Sequence, residues 1–209
     1  IAESIAHSSE ISMGDAYELA PEILEMVGLD WRRSMDLYPH ELSGGMAQRV
    51  MIAMALAVKP KLLIADEPTS ALDVTIQAQI LQLLDELVRI GRNAVILITH
   101  DLGIASEFCD RITVMYAGNA IEISSSEEIF EEPLHPYTKG LIDSIPIIGA
   151  SKVLSGIPGS VPDLIAPPPG CRFHPRCDFC FDKCRVELPD LKEVKPSHFV
   201  ACHLYSDSF

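Results

Sequence analysis

Two acidic residues at the end of an apolar run are the sharpest chemical signal in this sequence. Asp66 and Glu67 close the stretch LLIADEP, and the apolar residues before them are typical of a core strand. The carboxyl ends of strands in an open α/β sheet are where ligands bind. A carboxylate there can hold magnesium through a water, and a neighbouring glutamate can orient and deprotonate an attacking water. The alternative is a pair of solvated carboxylates that simply end a strand.

A histidine stands at the matching position of the next apolar run. His100 follows AVILI (94–98), so the end of a second strand would bring it beside the same site, where it could touch a terminal phosphate. A purely structural histidine is the alternative interpretation.

A hydroxyl and two glycines open a predicted helix at Ser43, Gly44 and Gly45. The unpaired N–H groups and partial positive charge of a helix N-terminus bind anions. The glycines would let a phosphate approach the backbone, and the serine would add a donor. Plain N-capping explains these three residues equally well.

Most of the six cysteines crowd the end of the chain. Cys171, Cys177, Cys184 and Cys202 are separated by 5, 6 and 17 residues. Four thiolates in a compact, irregular segment suffice for an iron–sulfur cluster or a structural zinc. Cys180 forms a C-x-x-C with Cys177, so zinc remains an alternative to the iron–sulfur cluster. Reduced thiols without any metal are the third possibility.

The elements that must position these residues alternate between helix and strand. Apolar periodicity and breakers predict helices over 14–29, 45–58, 73–91, 103–108, 126–132 and 136–145, and strands over 61–66, 94–98, 111–116 and 119–123. This order favours an α/β sheet with parallel strands, followed by a hairpin at 117–118. A Pro/Gly-rich connector after Gly149 leads into the cysteine-bearing segment.

Composition excludes several classes of protein. The 209 residues are 48% hydrophobic and 22% charged, as in an ordinary globular chain. With 16 basic against 30 acidic residues, the net charge of −14 disfavours nucleic-acid binding. The longest clean apolar run (50–58) is too short to span a membrane, and the first residues do not resemble a signal peptide.

Four motifs together resemble the ABC ATPases. LSGGMAQR (42–49) is similar to the ABC signature, LLIADEP to the Walker B strand, SALD (70–73) to the D-loop, and THD (99–101) to the switch histidine. The resemblance implies an α/β fold of the P-loop NTPase, ABC type, here partial, with a small cysteine-containing C-terminal extension. It also implies ATP and Mg²⁺ as ligands.

The resemblance also implies roles for individual residues. Asp66 would help to hold magnesium through a water, Glu67 would be the general base, and His100 would contact the γ-phosphate. Asp73 would act at a dimer interface. The signature residues would contact ATP held mainly by a partner subunit, namely Ser43, Gly44, Gly45 and Gln48.

Later segments narrow the resemblance to peptide importers. HPYT (135–138), IPG (157–159) and GCRFHPRC (170–177) resemble the C-terminal extension of oligopeptide, dipeptide and nickel importer ATPases. This implies three regions: the end of the helical subdomain (1–42), the second half of the ATPase core (43–132) and the extension (133–209). It also implies a four-iron four-sulfur cluster on Cys171, Cys177, Cys184 and Cys202, ahead of zinc.

One family motif has no counterpart in these residues. None of the 12 glycines precedes a lysine, so the phosphate-binding G-x-x-x-x-G-K-[ST] is missing, as is the Q-loop. Truncation before Ile1 explains both, and predicts no ATPase activity of the chain alone. Because parallel strands are normally covered on both faces, it also predicts exposed apolar faces on the strands 62–65 and 95–98.

The expected function is therefore ATP hydrolysis that powers peptide import. The expected partners are a second ATPase subunit, two membrane permease subunits and, indirectly, an extracytoplasmic solute-binding protein, with no nucleic acid. The expected location is the cytoplasmic face of the plasma membrane, held peripherally. The alternatives are an ABC ATPase of the chromosome-maintenance or DNA-repair type, and a non-catalytic metal-binding fragment.

Overall fold

The chain divides into two compact units, Ile1–His100 and Asp101–Phe209. A computed structural model describes residues 1–70, 72–91, 94–146 and 156–206.

The first unit combines helices with a short parallel sheet. Its elements are α1 (Ala2–Ser9), α2 (Met13–Met26), α3 (Trp31–Ser34), α4 (Gly44–Leu56), β1 (Leu62–Asp66), α5 (Val74–Gly91) and β2 (Ala94–Ile98). The sequence did not predict α1, whose Ile5 packs against Ala16 of α2 and Ala57 beyond α4. Ser12 begins α2 by accepting a hydrogen bond from the Asp15 N–H at 3.1 Å.

The two strands of this unit are parallel, as predicted. β1 and β2 pair from Leu62 opposite Ala94 to Asp66 opposite Ile98, so their carboxyl ends lie side by side. Side chains alternate across the pleat, and one face keeps Ile64 and Ile96 exposed at 62% and 48%. The expectation of exposed apolar faces on these strands is therefore confirmed.

The second unit is built around an antiparallel sheet. Its elements are α6 (Leu102–Phe108), β3 (Arg111–Tyr116), β4 (Asn119–Ser125), α7 (Ser126–Glu131), α8 (Pro136–Asp143), α9 (Asp182–Val186), β5 (Lys192–Lys195) and β6 (His198–Val200). The strands lie in the order β3-β4-β6-β5. The predicted hairpin turn is confirmed at Ala117 and Gly118, both with positive φ, as a two-residue hairpin turn requires.

The C-terminal segment joins this sheet, a pairing that the sequence did not predict. β6 lies antiparallel to β4, with Val200 opposite Glu122 and Phe199 opposite Ile123. Tyr116 and Phe173 meet edge to face with ring centroids 5.2 Å apart, which fixes the extension on the β3–β4 hairpin.

An arginine fastens the connector to the same hairpin. The guanidinium of Arg176 donates to the carbonyls of Pro158 at 2.7 Å and Ile157 at 3.1 Å, and to the Tyr116 hydroxyl at 3.3 Å. The described part of the connector (156–170) contains no helix or strand and is held by hydrogen bonds from this arginine side chain to its carbonyls. Within the described ranges, no helix has both the length and the apolar character needed to cross a bilayer.

Candidate functional site

The glutamate after β1 lies in a strained turn and has both carboxyl oxygens engaged. Glu67 has a φ of 45°, in the left-handed region that non-glycine residues rarely enter. Its N–H donates to the Ile98 carbonyl at 2.9 Å, which ties the turn to the end of β2. Ser70 Oγ donates to Glu67 Oε2 at 2.6 Å, and Glu67 Oε1 lies 3.0 Å from His100 Nδ1. Backbone strain of this kind concentrates at functional sites.

The parallel register brings Glu67 and His100 together. Each residue follows the end of its strand, and the two strands end opposite each other. Both side chains remain open to solvent, with 47% of the glutamate and 80% of the histidine exposed. The predicted meeting of these two residues at one sheet edge is thus observed, whereas their chemical roles are predictions. Asp66 is exposed at the end of β1.

The hydrogen bonds around Glu67 favour its ionised form. The Ser70 hydroxyl, and then the hydrogen bond and charge of His100, hold the pKa of Glu67 below its usual 4.5. A carboxylate that stays ionised and exposed is able to accept a hydrogen bond from a water. The sequence did not predict Ser70 as a partner of Glu67. A serine three residues after a glutamate, across a Pro-Thr turn, nevertheless indicates such a hydrogen bond.

The signature segment begins α4, and its serine is an N-cap. Ser43 Oγ accepts a hydrogen bond from the Met46 N–H at 3.3 Å, so the N-capping alternative is observed. A Cβ added at Gly45 would lie 2.7 Å from Ile76 Cγ2, whereas one at Gly44 would meet Leu72 Cδ2 at 3.4 Å. The second glycine therefore allows α4 to pack tightly on the start of α5.

The D-loop residues lie at that same junction. Asp73 caps α5, with Oδ1 accepting the Ile76 N–H at 3.0 Å, as the sequence predicted. The structure thus gathers Gly44, Gly45 and Asp73 around the first turn of α5. Gln48 lies half-buried further along α4.

Arg49 of the signature segment links α4 to two other helices, a role that the sequence did not predict. Arg49 Nη1 donates to the Val27 carbonyl at 2.6 Å, and Nη2 donates to Gln79 Oε1 at 3.2 Å. The signature helix is thereby bound to the end of α2 and to α5. The arginine at the end of LSGGMAQR, a long donor on a helix between two others, was the available signal.

The four predicted cysteine ligands share one small cavity. Cys171, Cys177, Cys184 and Cys202 all line it, together with three histidines, His135, His174 and His203. The Cys171 N–H donates to the Cys184 carbonyl at 2.9 Å. Gly170 permits this approach, because a Cβ there would lie 2.5 Å from that carbonyl oxygen.

The thiols of this cavity do not converge on a common point as metal ligands do. Among the described residues, which include all six cysteines, no three His, Cys, Asp or Glu side chains are placed to hold a metal ion. Burial raises the pKa of Cys171 and Cys177, and raises that of Cys202 to about 11. These thiols are therefore neutral near pH 7, and binding a metal would require them to lose protons.

A second glutamate–histidine pair, missed from the sequence, is fully buried in the second unit. The Glu122 carboxyl accepts the N–H groups of Leu134 at 2.6 Å and His135 at 3.0 Å, and lies 2.8 Å from His198 Nε2. An acidic residue between Ile121 and Ile123 in a strand was the available signal, since a buried carboxyl needs partners.

Comparison with known proteins matches two stretches of the chain to family models. Residues 5–70 match the ABC transporter family, and residues 121–184 match the C-terminal region of the oligopeptide/dipeptide transporter family. A solved structure of cbiO1 from Clostridium perfringens, part of the ABC transporter complex cbiONQ, superposes with a TM-score of 0.52 at 33% identity. The superposition covers 58% of this chain and 48% of that one.

Curated relatives align along almost the whole chain. The oligopeptide transport ATP-binding protein AppD of Bacillus subtilis is 50% identical over 99% of the chain and 64% of its own length. The dipeptide transport ATP-binding protein DppD of Caldanaerobacter subterraneus is 48% identical over 97% of the chain and 62% of its length. The oligopeptide transport ATP-binding protein OppD of Escherichia coli is 47% identical over 92% of the chain and 57% of its length. The chain thus spans about three fifths of the length of these relatives, and along almost all of its own length it is similar to ATP-binding proteins of oligopeptide and dipeptide transport.

Proposed function

We propose that this chain carries the signature, Walker B, D-loop and switch-histidine parts of an ATPase that powers peptide import. The observation that carries the proposal is the Glu67–His100 pair, 3.0 Å apart and exposed at the carboxyl ends of two parallel strands. The names of the relatives, which are oligopeptide and dipeptide transport proteins, support peptides as the solute.

Each site residue then has a defined task in hydrolysis. Asp66, exposed at the end of β1, would bind the magnesium of the nucleotide through a water. Glu67 would accept a proton from the attacking water, since its carboxylate remains 47% exposed. His100 would hold Glu67 through Nδ1 and present its other ring nitrogen to the γ-phosphate.

The first turns of α4 and α5 would serve a second subunit. Ser43, Gly44, Gly45 and Gln48 would contact the ATP bound mainly by a partner ATPase, and Asp73 would lie at the interface with that partner. The assembly would also contain two membrane permease subunits and receive solute from a binding protein, with this subunit peripheral on the cytoplasmic face. The tight packing of Gly45 on Ile76 would couple these two contact points.

The test is ATP turnover by the full-length subunit assembled with its permeases. Replacing Glu67 with Gln removes the general base and should lower turnover by roughly 100- to 10,000-fold. Glu86→Gln is the matched control, since Glu86 is an exposed glutamate on α5. Equal activity of the two variants would overturn the role of Glu67. The 209 residues contain no G-x-x-x-x-G-K-[ST], so the chain alone should show no activity above its own Glu67→Gln variant.

We further propose that the cavity cysteines bind a four-iron four-sulfur cluster, with zinc as the alternative. Four thiols lining one cavity form a donor set suited to either group. When bound, the metal would supply covalent cross-links among four segments that otherwise share little regular structure.

Metal analysis of anaerobically purified chain tests this proposal. Iron with acid-labile sulfide would support the cluster, and zinc alone would support the alternative. Cys202→Ser should reduce the metal content, whereas Cys109→Ser, outside the cavity, should not. Absence of both metals from a folded chain would overturn the proposal.

A further inference from the structure

One cysteine of the C-terminal segment is not among the residues that line the cavity. Cys171, Cys177, Cys184 and Cys202 line it, whereas Cys180 is absent from the described lining. Cys180 is half-buried, and its Sγ lies 3.8 Å from the Phe181 carbonyl oxygen. The metal site proposed above does not use this thiol.

A tight turn places Cys180 next to the cavity residue Cys177. The Cys180 N–H donates to the Cys177 carbonyl at 3.2 Å, the hydrogen bond that closes a four-residue β-turn. Such a turn keeps the first and last Cα atoms within about 7 Å. Disulfides span Cα–Cα distances of about 4.4–6.8 Å, a range that a β-turn of this kind can provide.

Both thiols of the turn are accessible to a small oxidant. Cys177 and Cys180 are partly exposed, whereas Cys184 is buried. Between them, the Phe179 side chain is 60% exposed and leaves the turn uncovered. Cys171 and Cys184, whose backbones also meet, are the competing pair, and the burial of Cys184 disfavours attack there.

We propose that Cys177 and Cys180 form a reversible disulfide that withdraws Cys177 from the cavity and so gates metal loading. The gating part rests on the proposed metal site, whereas the disulfide itself does not. The oxidant is a small-molecule disulfide of the glutathione class. The Cys180 sulfur attacks it, forms a mixed disulfide and releases one glutathione thiol. The Cys177 sulfur then attacks the mixed disulfide, forms the Cys177–Cys180 bond and releases the second thiol, so two cysteines lose two electrons and two protons to the two glutathiones.

The experiment uses the metal-free 209-residue chain and has two separate readouts. The reduced chain is incubated with oxidised glutathione, and peptide mapping by mass spectrometry locates any disulfide. Zinc(II) alone is then titrated into the oxidised and the reduced samples. We expect a Cys177–Cys180 disulfide, the loss of two of the six free thiols, and at least a tenfold weaker apparent zinc affinity, reversed by dithiothreitol.

Matched variants separate the gate from general oxidation. Cys180→Ser and Cys180→Ala should bind zinc as the reduced wild type does and lose the response to oxidised glutathione, whereas Cys109→Ser should keep it. Circular dichroism checks that each variant is folded.

The outcomes distinguish this inference from the proposed metal site. A disulfide at Cys171–Cys184, or none at all, overturns the inference and leaves the metal site standing. A Cys177–Cys180 disulfide without any change in zinc affinity overturns the gate. If the reduced chain binds no zinc and no iron, the metal site and the gate both fail, and the mapped disulfide stands alone.

Discussion

The molecule contains two glutamate–histidine pairs with similar geometry and opposite surroundings. In the first unit, Glu67 and His100 lie 3.0 Å apart with 47% and 80% of their side chains exposed. In the second unit, Glu122 and His198 lie 2.8 Å apart, with exposures of 0% and 1%. The distance between the partners is nearly the same, so the environment must decide what each pair does.

The difference lies in what else each glutamate holds. Glu67 is held by one hydroxyl and one imidazole and keeps an open side toward solvent. Glu122 accepts two backbone N–H groups at the start of α8 in addition to His198, which leaves no room for a ligand. The exposed pair suits chemistry on a bound molecule, and the buried pair fastens β6, β4 and α8 together.

Removing the buried glutamate should have the largest effect. Glu122→Ala takes the acceptor from two buried N–H groups and from His198, and we expect the free energy of unfolding to fall by about 3–5 kcal/mol. Amide hydrogen exchange followed by mass spectrometry should show the loss in β4 and β6. Glu67→Ala, on the exposed pair, should leave exchange in β1 and β2 unchanged.

A conservative variant keeps this comparison testable if Glu122→Ala does not fold. Glu122→Gln retains one acceptor oxygen and should destabilise the second unit less. Equal effects at Glu122 and Glu67 would contradict the distinction between a fold-supporting and a ligand-facing pair.

The second unit should also lose stability in mild acid. Burial lowers the pKa of His135 from 6.5 to about 4, so between these values the unfolded chain binds a proton that the native chain does not. The contribution of neutral His135 to the free energy of unfolding is therefore fully present above pH 6.5. It falls as the pH drops and is gone below about pH 4, a total loss of about 3 kcal/mol. Urea unfolding at a series of pH values measures this slope.

An asparagine at the same position is the control for that slope. The Nδ1 of His135 accepts the Tyr137 N–H at 3.0 Å, and Asn is a good N-cap acceptor without a proton to gain. His135→Asn should therefore flatten the slope between pH 6.5 and 4. An unchanged slope would assign it to other groups. The pKa values of Glu128 and Glu132 are lowered by hydrogen bonds from Ser124 and Lys195, so these carboxyls lose their contribution only below their usual 4.5.

The close packing of Gly45 against Ile76 should make an alanine at position 45 destabilising. Gly45→Ala would push a Cβ to 2.7 Å from Ile76 Cγ2, and a β-branched side chain has little freedom to move away. We expect a loss of about 1–3 kcal/mol in the free energy of unfolding. Gly44→Ala is the matched control, because its Cβ would meet only Leu72 Cδ2 at 3.4 Å and should be tolerated.

A double substitution separates packing from the intrinsic effect of alanine. Ile76→Ala removes the clashing methyl, so the cost of Gly45→Ala should largely disappear in that background. Additive costs in thermal unfolding would show that Gly45 is not placed for contact with α5.

The exposed pair was predictable from the sequence, and the buried pair was not. Glu67 and His100 each follow a continuous apolar run, and parallel strands end at one edge, so their meeting follows from local pattern alone. Glu122 and His198 are 76 residues apart, and β5 and β6 have only four and three residues, too few to show a period. The four cavity cysteines were predicted from spacing, whereas the backbone contact at Gly170 that gathers them depends on tertiary packing.

The smallest expected change concerns the protonation of Glu67 itself. The hydrogen bond from Ser70 is the main cause of its lowered pKa, so Ser70→Ala should raise that pKa toward its usual 4.5 without altering the unfolding midpoint. NMR titration of the Glu67 carboxyl carbon measures the shift, and Thr69→Ala controls for changes in the turn. His100→Ala removes both a hydrogen bond and a charge from the other carboxyl oxygen, so it should also raise the pKa of Glu67. If the larger rise follows His100→Ala, the imidazole is the dominant partner of the carboxylate, and the exposed pair resembles the buried one more closely than its surroundings indicate.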